Sequence, residues 1–261
     1  MLGTLSKAGR VLDLFTVEQP EWGVSEAAET LRVPKSSLHA VFATLASIDL
    51  LERVPTGRYR LGWGFVEHSQ TLLRTTEYRP HALRAMQRLI SRYGETMHLA
   101  TWSRGRVVCI DRLEAVRGVR AAPADRDARR PPHVSAVGKM LLAHRDPADV
   151  EIALRPAALE RLTDRTMTTP SAVEDALVAV RDLGVAFDEE EGRPGVCCVA
   201  APVCALDGSV AAAMSLCVPR PRFERMRGEY TDAISAAARD ASERLRRGVE
   251  EGAGQAASSH R

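Results

Sequence analysis

The 261 residues are 45% hydrophobic and 27% charged, the balance of an ordinary globular protein, which excludes a fibrous or wholly disordered chain. A formal net charge of +2 excludes a polycation, so any nucleic acid must be held by a local cluster of basic residues. The length exceeds the commonest domain size of about 100–150 residues, and two domains are expected.

The amino-terminal stretch MLGTLSKAGRVLDLFTVEQPEWG lacks a long apolar core followed by a small-residue cleavage site. No apolar run reaches the roughly 18 residues of a membrane span, so the expectation is a cytoplasmic protein with no membrane partner. Cysteines Cys109, Cys197, Cys198, Cys204 and Cys217 are odd in number and contain no Cys-x-x-Cys pair, which reads as reduced thiols.

Leu5, Ala8, Leu12 and Phe15 share one face of a first predicted helix that ends near Pro20. Ser25 is the predicted N-cap of a short second helix with Ala27, Ala28 and Leu31 inside, and Glu26 suits its positive first turn. Arg32, Val33 and Pro34 break it. Leu38, Val41, Phe42, Leu45 and Ile48 then follow helical spacing, leaving Ser36, His39, Ala40, Ala43 and Ser47 on the opposite face of a third helix. A helix with a small polar face and a lysine at its N-terminal end can approach a duplex closely.

Leu51 to Val54 and Arg58 to Leu61 read as two short strands around the turn Pro55-Thr56-Gly57, with Arg58 and Arg60 on one side. From Arg32 to Arg60 five basic residues stand against two acidic ones, so the positive charge gathers on this segment.

The order SEAAETLRVPKSSLHAVFATL then LERVPTGRYRLG closely resembles the winged helix-turn-helix of IclR-type transcriptional regulators, the isocitrate-lyase-regulator family. That resemblance implies a recognition helix carrying Lys35, Ser36, Ser37 and His39, and a wing carrying Thr56, Arg58 and Tyr59. Many relatives place arginine after the histidine, where this sequence has Ala40.

A connecting helix is predicted from Gly62 to Thr76, with the domain junction near Tyr78, so the DNA-binding part spans residues 1–75. Leu83, Met86, Leu89, Ile90 and Tyr93 mark a long helix that Gly94 can end. From Glu95 the period changes to two: Met97 to Trp102 and Arg106 to Leu113 form a hairpin, and Val116 to Ala122 is a candidate third strand. Helix returns from Val134 to His144, and Ser171-Ala172-Val173-Glu174 reads as a capping box opening a helix that Gly184 ends. Val196 to Val203 and Val210 to Val218 flank a turn at Leu206 to Ser209. Tyr230, Ile234, Ala237, Ala241 and Leu245 outline the last helix, and residues 249–261 read as a disordered tail.

The fold class expected is α+β: an N-terminal winged helix-turn-helix, a connecting helix, and over residues 79–248 an antiparallel sheet with packed helices. GETMHLATW, VVCIDRLE, PPHVSAVGKMLLA, LTDRTMTT and GVAFDEEEGRPGVCCVAAPV resemble the same family's GAF-like effector-binding domain. The resemblance implies a pocket built on Asp188, on Cys198 ten residues later, and on Ser215 and Cys217 seventeen and nineteen beyond the cysteine. The same resemblance implies that Ala136 and Val137, at a helix start, supply contact, and Arg120 or Arg117 can pair with a carboxylate. Glu189, Glu190 and Glu191 read as a solvated acidic run. Core packing is the other reading of Cys198 and Cys217, since free cysteine is often buried.

No Gly-x-Ser-x-Gly elbow, phosphate-binding glycine loop or His-Glu-x-x-His is present, and no catalytic residue, cofactor or metal is assigned. A cysteine hydrolase using Cys197 or Cys198 with His133 leaves the N-terminal part unexplained, and a non-responsive DNA binder leaves the C-terminal part unexplained. The preferred reading is a regulator that binds double-stranded operator DNA as a homodimer or homotetramer and responds to a small-molecule effector, an organic acid or related metabolite. The first and connecting helices are the expected dimer surfaces.

Overall fold

The structure is a computed structural model that describes residues 3–114, 131–155 and 158–258, with backbone alone from residue 249. It divides into two compact units, Met1–Thr76 and Glu77–Arg261.

In the first unit, α1 (Gly3–Leu12), α2 (Val24–Leu31) and α3 (Lys35–Ser47) precede a hairpin of β1 (Leu51–Arg53) and β2 (Tyr59–Leu61), and α4 (Gly64–Thr75) closes it. Helix α2 stops because Arg32 turns left-handed at φ 54°, its amide reaching back to the Ala28 and Glu29 carbonyls. Pro34 then sets the start of α3. Val11, Leu38, Val41, Phe42, Leu45, Leu51 and Tyr59 form the core that fixes α3 against the hairpin. Trp22 adds an isolated bridge to Tyr59, so the wing gains a third short segment.

The second unit opens with α5 (Tyr78–Tyr93), ended by left-handed Gly94. It is built on one antiparallel sheet in the order β4 (Arg106–Leu113), β3 (Thr96–Ser103), β7 (Val210–Pro219), β6 (Val196–Cys204), β5 (Ala186–Glu189). Every ladder is antiparallel, as the hairpin pattern of the sequence requires. One face carries Met97, Leu99, Val199, Met214 and Leu216 against α5 and the closing helix α9 (Arg220–Ser258), which is non-helical at Met226. The other face carries Ala100, Cys198, Ala200 and Ala213. It packs on α6 (Ala136–Leu142), α7 (Pro147–Ala153) and α8 (Pro170–Leu183). Alternation along each strand thus serves two cores, and the small residues gather on the α6 side.

Several expected boundaries move. Gly23, not Ser25, is the N-cap of α2, where Glu26 Oε2 accepts the Gly23 amide at 3.4 Å. Thr169, not Ser171, caps α8: its hydroxyl accepts the Ala172 amide at 3.4 Å, and Pro170 at the first helical position needs no amide partner. Ile48 leaves the apolar stripe: it is the C-cap of α3 and 56% exposed. Helix α9 continues to Ser258 where a disordered tail was expected. The candidate strand from Val116 to Ala122 lies outside the described residues.

Candidate DNA-contacting face and effector pocket

Lys35, Ser36, His39, Ala40, Ala43 and Ser47 are all exposed on α3, opposite its buried stripe. Pro34 is the N-cap and provides no side-chain bond, so the first-turn amides of this helix have no side-chain cap. Ser37 is half-buried and its hydroxyl accepts from Lys7 Nζ at 2.9 Å, which ties α3 to α1. Thr56 is exposed at the tip of the hairpin, where Gly57 supplies φ 79° and its amide closes the turn on the Val54 carbonyl at 2.9 Å.

Two wing residues differ from expectation. Tyr59 is a core residue at 6% exposure, its ring 5.0 Å from Phe42 in an edge-on pair, so the ring is turned into the unit rather than outward. The pleat is the cause: arginine, tyrosine and arginine alternate, and the aromatic turns inward. Arg58 Nη2 donates to Glu26 Oε2 and to the Glu21 carbonyl, both at 2.7 Å, so its guanidinium is bound within the unit. Arg60 pairs across the hairpin with Glu52 at 2.9 Å.

In the second unit, strand pairing assembles the other predicted set. Asp188 opposes Cys198, and Cys198 opposes Cys217, in one row across β5, β6 and β7. In the next row Ala200 opposes Ser215, which opposes His98 on β3. The four predicted residues therefore share one sheet face. Cys198 Sγ donates to Cys217 Sγ at 2.6 Å, and Cys217 Sγ lies 3.5 Å from His98 Nδ1. Ala136 is buried against this core and Val137 half-buried beside it. Ser135 caps α6 by accepting the Gly138 amide at 3.1 Å. A Cβ on Gly138 would stand 2.2 Å from the Pro132 carbonyl oxygen, so only glycine lets the 3₁₀ turn Pro132–Val134 close on this helix. Arg120 lies outside the described residues.

Asp188 is 5% exposed, and its Oδ1 accepts the Glu191 amide at 2.8 Å and the Gly192 amide at 3.3 Å. Burial, followed by the neighbouring Glu191 charge, pushes its carboxyl up to about 7, against the opposing pull of Lys139. At neutral pH this carboxyl is poised between donor and acceptor. Burial also pushes the His133 imidazole down.

Glu191 corrects the reading of a solvated acidic run. It is buried and bonds through both carboxylate oxygens to the ammonium of buried Lys139 on α6. Its carbonyl accepts Thr166 Oγ1 at 2.7 Å, and Thr163 Oγ1 bonds the Glu190 carbonyl at 2.7 Å. Glu190 pairs with Arg220 and Arg165, and Glu189 with Arg227. The turn after Asp188 is thus held on every side. Lys139 and Glu191 are the residues whose roles sequence reasoning missed. Lysine inside an otherwise apolar run, KMLLA, was the available signal for the first.

A groove of about 420 Å³ runs between α8 and β5, lined by Lys139, Arg165, Met167, Val180, Phe187 and Glu191 among others. It shares the Lys139–Glu191 pair with the site, but Asp188, Cys198, Ser215 and Cys217 do not line it. Among the described residues no group of three or more His, Cys, Asp or Glu side chains has metal-binding geometry, and no helix is long and apolar enough to cross a membrane.

Comparison with known proteins agrees with both units. Residues 4–55 match the family described as IclR helix-turn-helix domain, and residues 70–243 match Bacterial transcriptional regulator IclR C-terminal. The chain is 34% identical over 242 residues to the HTH-type transcriptional regulator BhcR of Paracoccus denitrificans, covering 91% of this chain and 85% of that one. It is 32% identical to XynR of Escherichia coli over 83% of this chain and 86% of that one. Among solved structures, an IclR homolog from Microbacterium hydrocarbonoxydans complexed with 4-hydroxybenzoate superposes with a TM-score of 0.78 at 28% identity, covering 93% of this chain and 99% of that one. With a winged helix-turn-helix in its first unit and an antiparallel sheet packed between helices in its second, the chain belongs to the IclR family of bacterial transcriptional regulators.

Proposed function

We propose that the protein binds operator DNA through the exposed face of α3 and the tip of the wing, and that a small organic acid bound on the β6–β7 face of the second unit changes that affinity. The observation that carries this reading is the convergence of Asp188, Cys198, Ser215 and Cys217, four residues from three strands, on one sheet face. A carboxyl poised near neutrality can donate a hydrogen bond to a ligand oxygen, and the Ser215 hydroxyl and His98 add polar partners beside alanine walls. The Microbacterium relative bound to 4-hydroxybenzoate supports an acid of modest size.

On the DNA side, Lys35, Ser36, His39 and Thr56 are the contacts we favour, with the uncapped first turn of α3 meeting phosphate. Arg58 holds the wing to α2 through Glu26, so its contribution is to position Thr56. The protein works as a homodimer or a dimer of dimers. Leu5, Val66 and Leu72 on α1 and α4 are 68%, 41% and 66% exposed, an apolar surface suited to a second copy. Effector and operator are then linked: a ligand alters DNA affinity only as far as it favours one arrangement of the paired DNA-binding units.

The DNA assignment has a direct test in the salt dependence of binding. Lys35→Ala is expected to lower the slope of log affinity against log salt by about one, the loss of one phosphate contact. Anisotropy titrations of a promoter duplex at several salt concentrations measure this. An unchanged slope and affinity would remove Lys35 from the interface.

A further inference from the structure

Cys198 on β6 and Cys217 on β7 are direct register partners. Opposed residues of antiparallel strands hold their Cα atoms about 4.5–5.5 Å apart, within the roughly 4.4–6.8 Å range over which a disulfide closes. Their sulfur atoms are 2.6 Å apart, with the Cys198 thiol donating to Cys217. That is within about 0.6 Å of the S–S bond length of about 2.05 Å, so small side-chain adjustments suffice to bond them. Both strands lie inside the sheet, which holds the thiols facing each other.

The other cysteines lack this arrangement. Cys197 faces the opposite core beside Val199 and Val218, and burial pushes its thiol up to about 11. Cys204 sits at the irregularity near the end of β6, and Cys109 is exposed on β4. We propose that Cys198 and Cys217 are a dithiol modification site, closed to an intrachain disulfide by a hydroperoxide.

The hydrogen bond from Cys198, aided by the charge of His98, holds the Cys217 thiol well below its usual range, which favours the thiolate as the attacking species. That thiolate attacks a peroxide oxygen, the O–O bond breaks, and the departing oxygen leaves as water or alcohol after taking a proton. Cys217 is then a sulfenic acid. The Cys198 sulfur attacks it, the S–S bond forms, the S–O bond breaks, and hydroxide leaves with the Cys198 proton as water. Two thiols lose two electrons and the peroxide gains them. Cys217 is half-buried and Cys198 buried, so small oxidants are favoured over proteins. The bond would lock β6 to β7 on the wall that Ser215 shares. Any effect on effector response rests on the pocket reading above.

The test uses the full-length reduced protein, treated with hydrogen peroxide, quenched with iodoacetamide and cleaved before aspartate. Cleavage at Asp188 and Asp207 separates Cys198 from Cys217. The expected product is the two peptides joined, lighter by two hydrogens than their reduced sum and released by dithiothreitol. It should be lost in both Cys198→Ser and Cys217→Ser. Full alkylation of Cys217 after peroxide, its advance to sulfinic acid without a crosslink, or a crosslink that persists in Cys198→Ser would each overturn the proposal. No DNA or effector enters this measurement, so it stands apart from any failure of the effector assignment.

Discussion

Replacing Lys139 by methionine is expected to cost roughly 3–5 kcal/mol, because it leaves the Glu191 carboxylate buried without its counter-charge. The two side chains come from α6 and from the turn after β5, 52 residues apart in sequence, and both carboxylate oxygens are engaged. Glu191 also donates its amide to Asp188 and accepts Thr166 through its carbonyl, so losing the pair loosens the turn that orients Asp188. Thermal or urea unfolding measures the loss. The double substitution Lys139→Met, Glu191→Leu should recover a large part of it, since an apolar pair of similar size avoids burying charge. If Lys139→Met unfolds like the wild type, the pair does not clamp the turn.

A second large effect is expected from pH. The Asp188 carboxyl is raised from the ordinary carboxylate range to about 7. A raised folded value means that the folded state holds a proton the unfolded state releases, so its stabilising contribution is complete below about pH 4 and is lost as pH rises through about 7. The amide introduced by Asp188→Asn cannot titrate but can still accept the Glu191 and Gly192 amides. The stability of the wild type relative to Asp188→Asn should therefore fall by about 2–3 kcal/mol between pH 5 and pH 8. Paired urea unfolding curves across that interval check this. A constant difference would place the Asp188 carboxyl in water rather than in the core.

Much of this was legible in the sequence because it depends on local period. The spacing of Leu38, Val41, Phe42 and Leu45 set which face of α3 is exposed, and the Leu206 to Ser209 turn set the β6–β7 hairpin that brings Cys198 opposite Cys217. The placement of Asp188, Ser215 and Cys217 on one face followed from family resemblance together with strand alternation. What was not legible depends on contacts distant in sequence. His98 meets Cys217 only through the β3–β7 register, which no spacing reveals. Glu191 looked like Glu189 and Glu190 because its partner Lys139 lies on α6, 52 residues away in sequence. Tyr59 does lie in the wing, as family resemblance implied, but the alternation of Arg58, Tyr59 and Arg60 already turned its ring inward.

The linkage between the two units is tested most directly by measuring promoter-DNA affinity of wild type and Asp188→Ala side by side. Each is titrated with and without a small carboxylic acid, such as 4-hydroxybenzoate, that raises the wild-type Tm in a thermal-shift screen. Both proteins should bind DNA alike without the acid, and only the wild type should change affinity when it is added. An equal response in the two proteins would contradict a pocket built on Asp188.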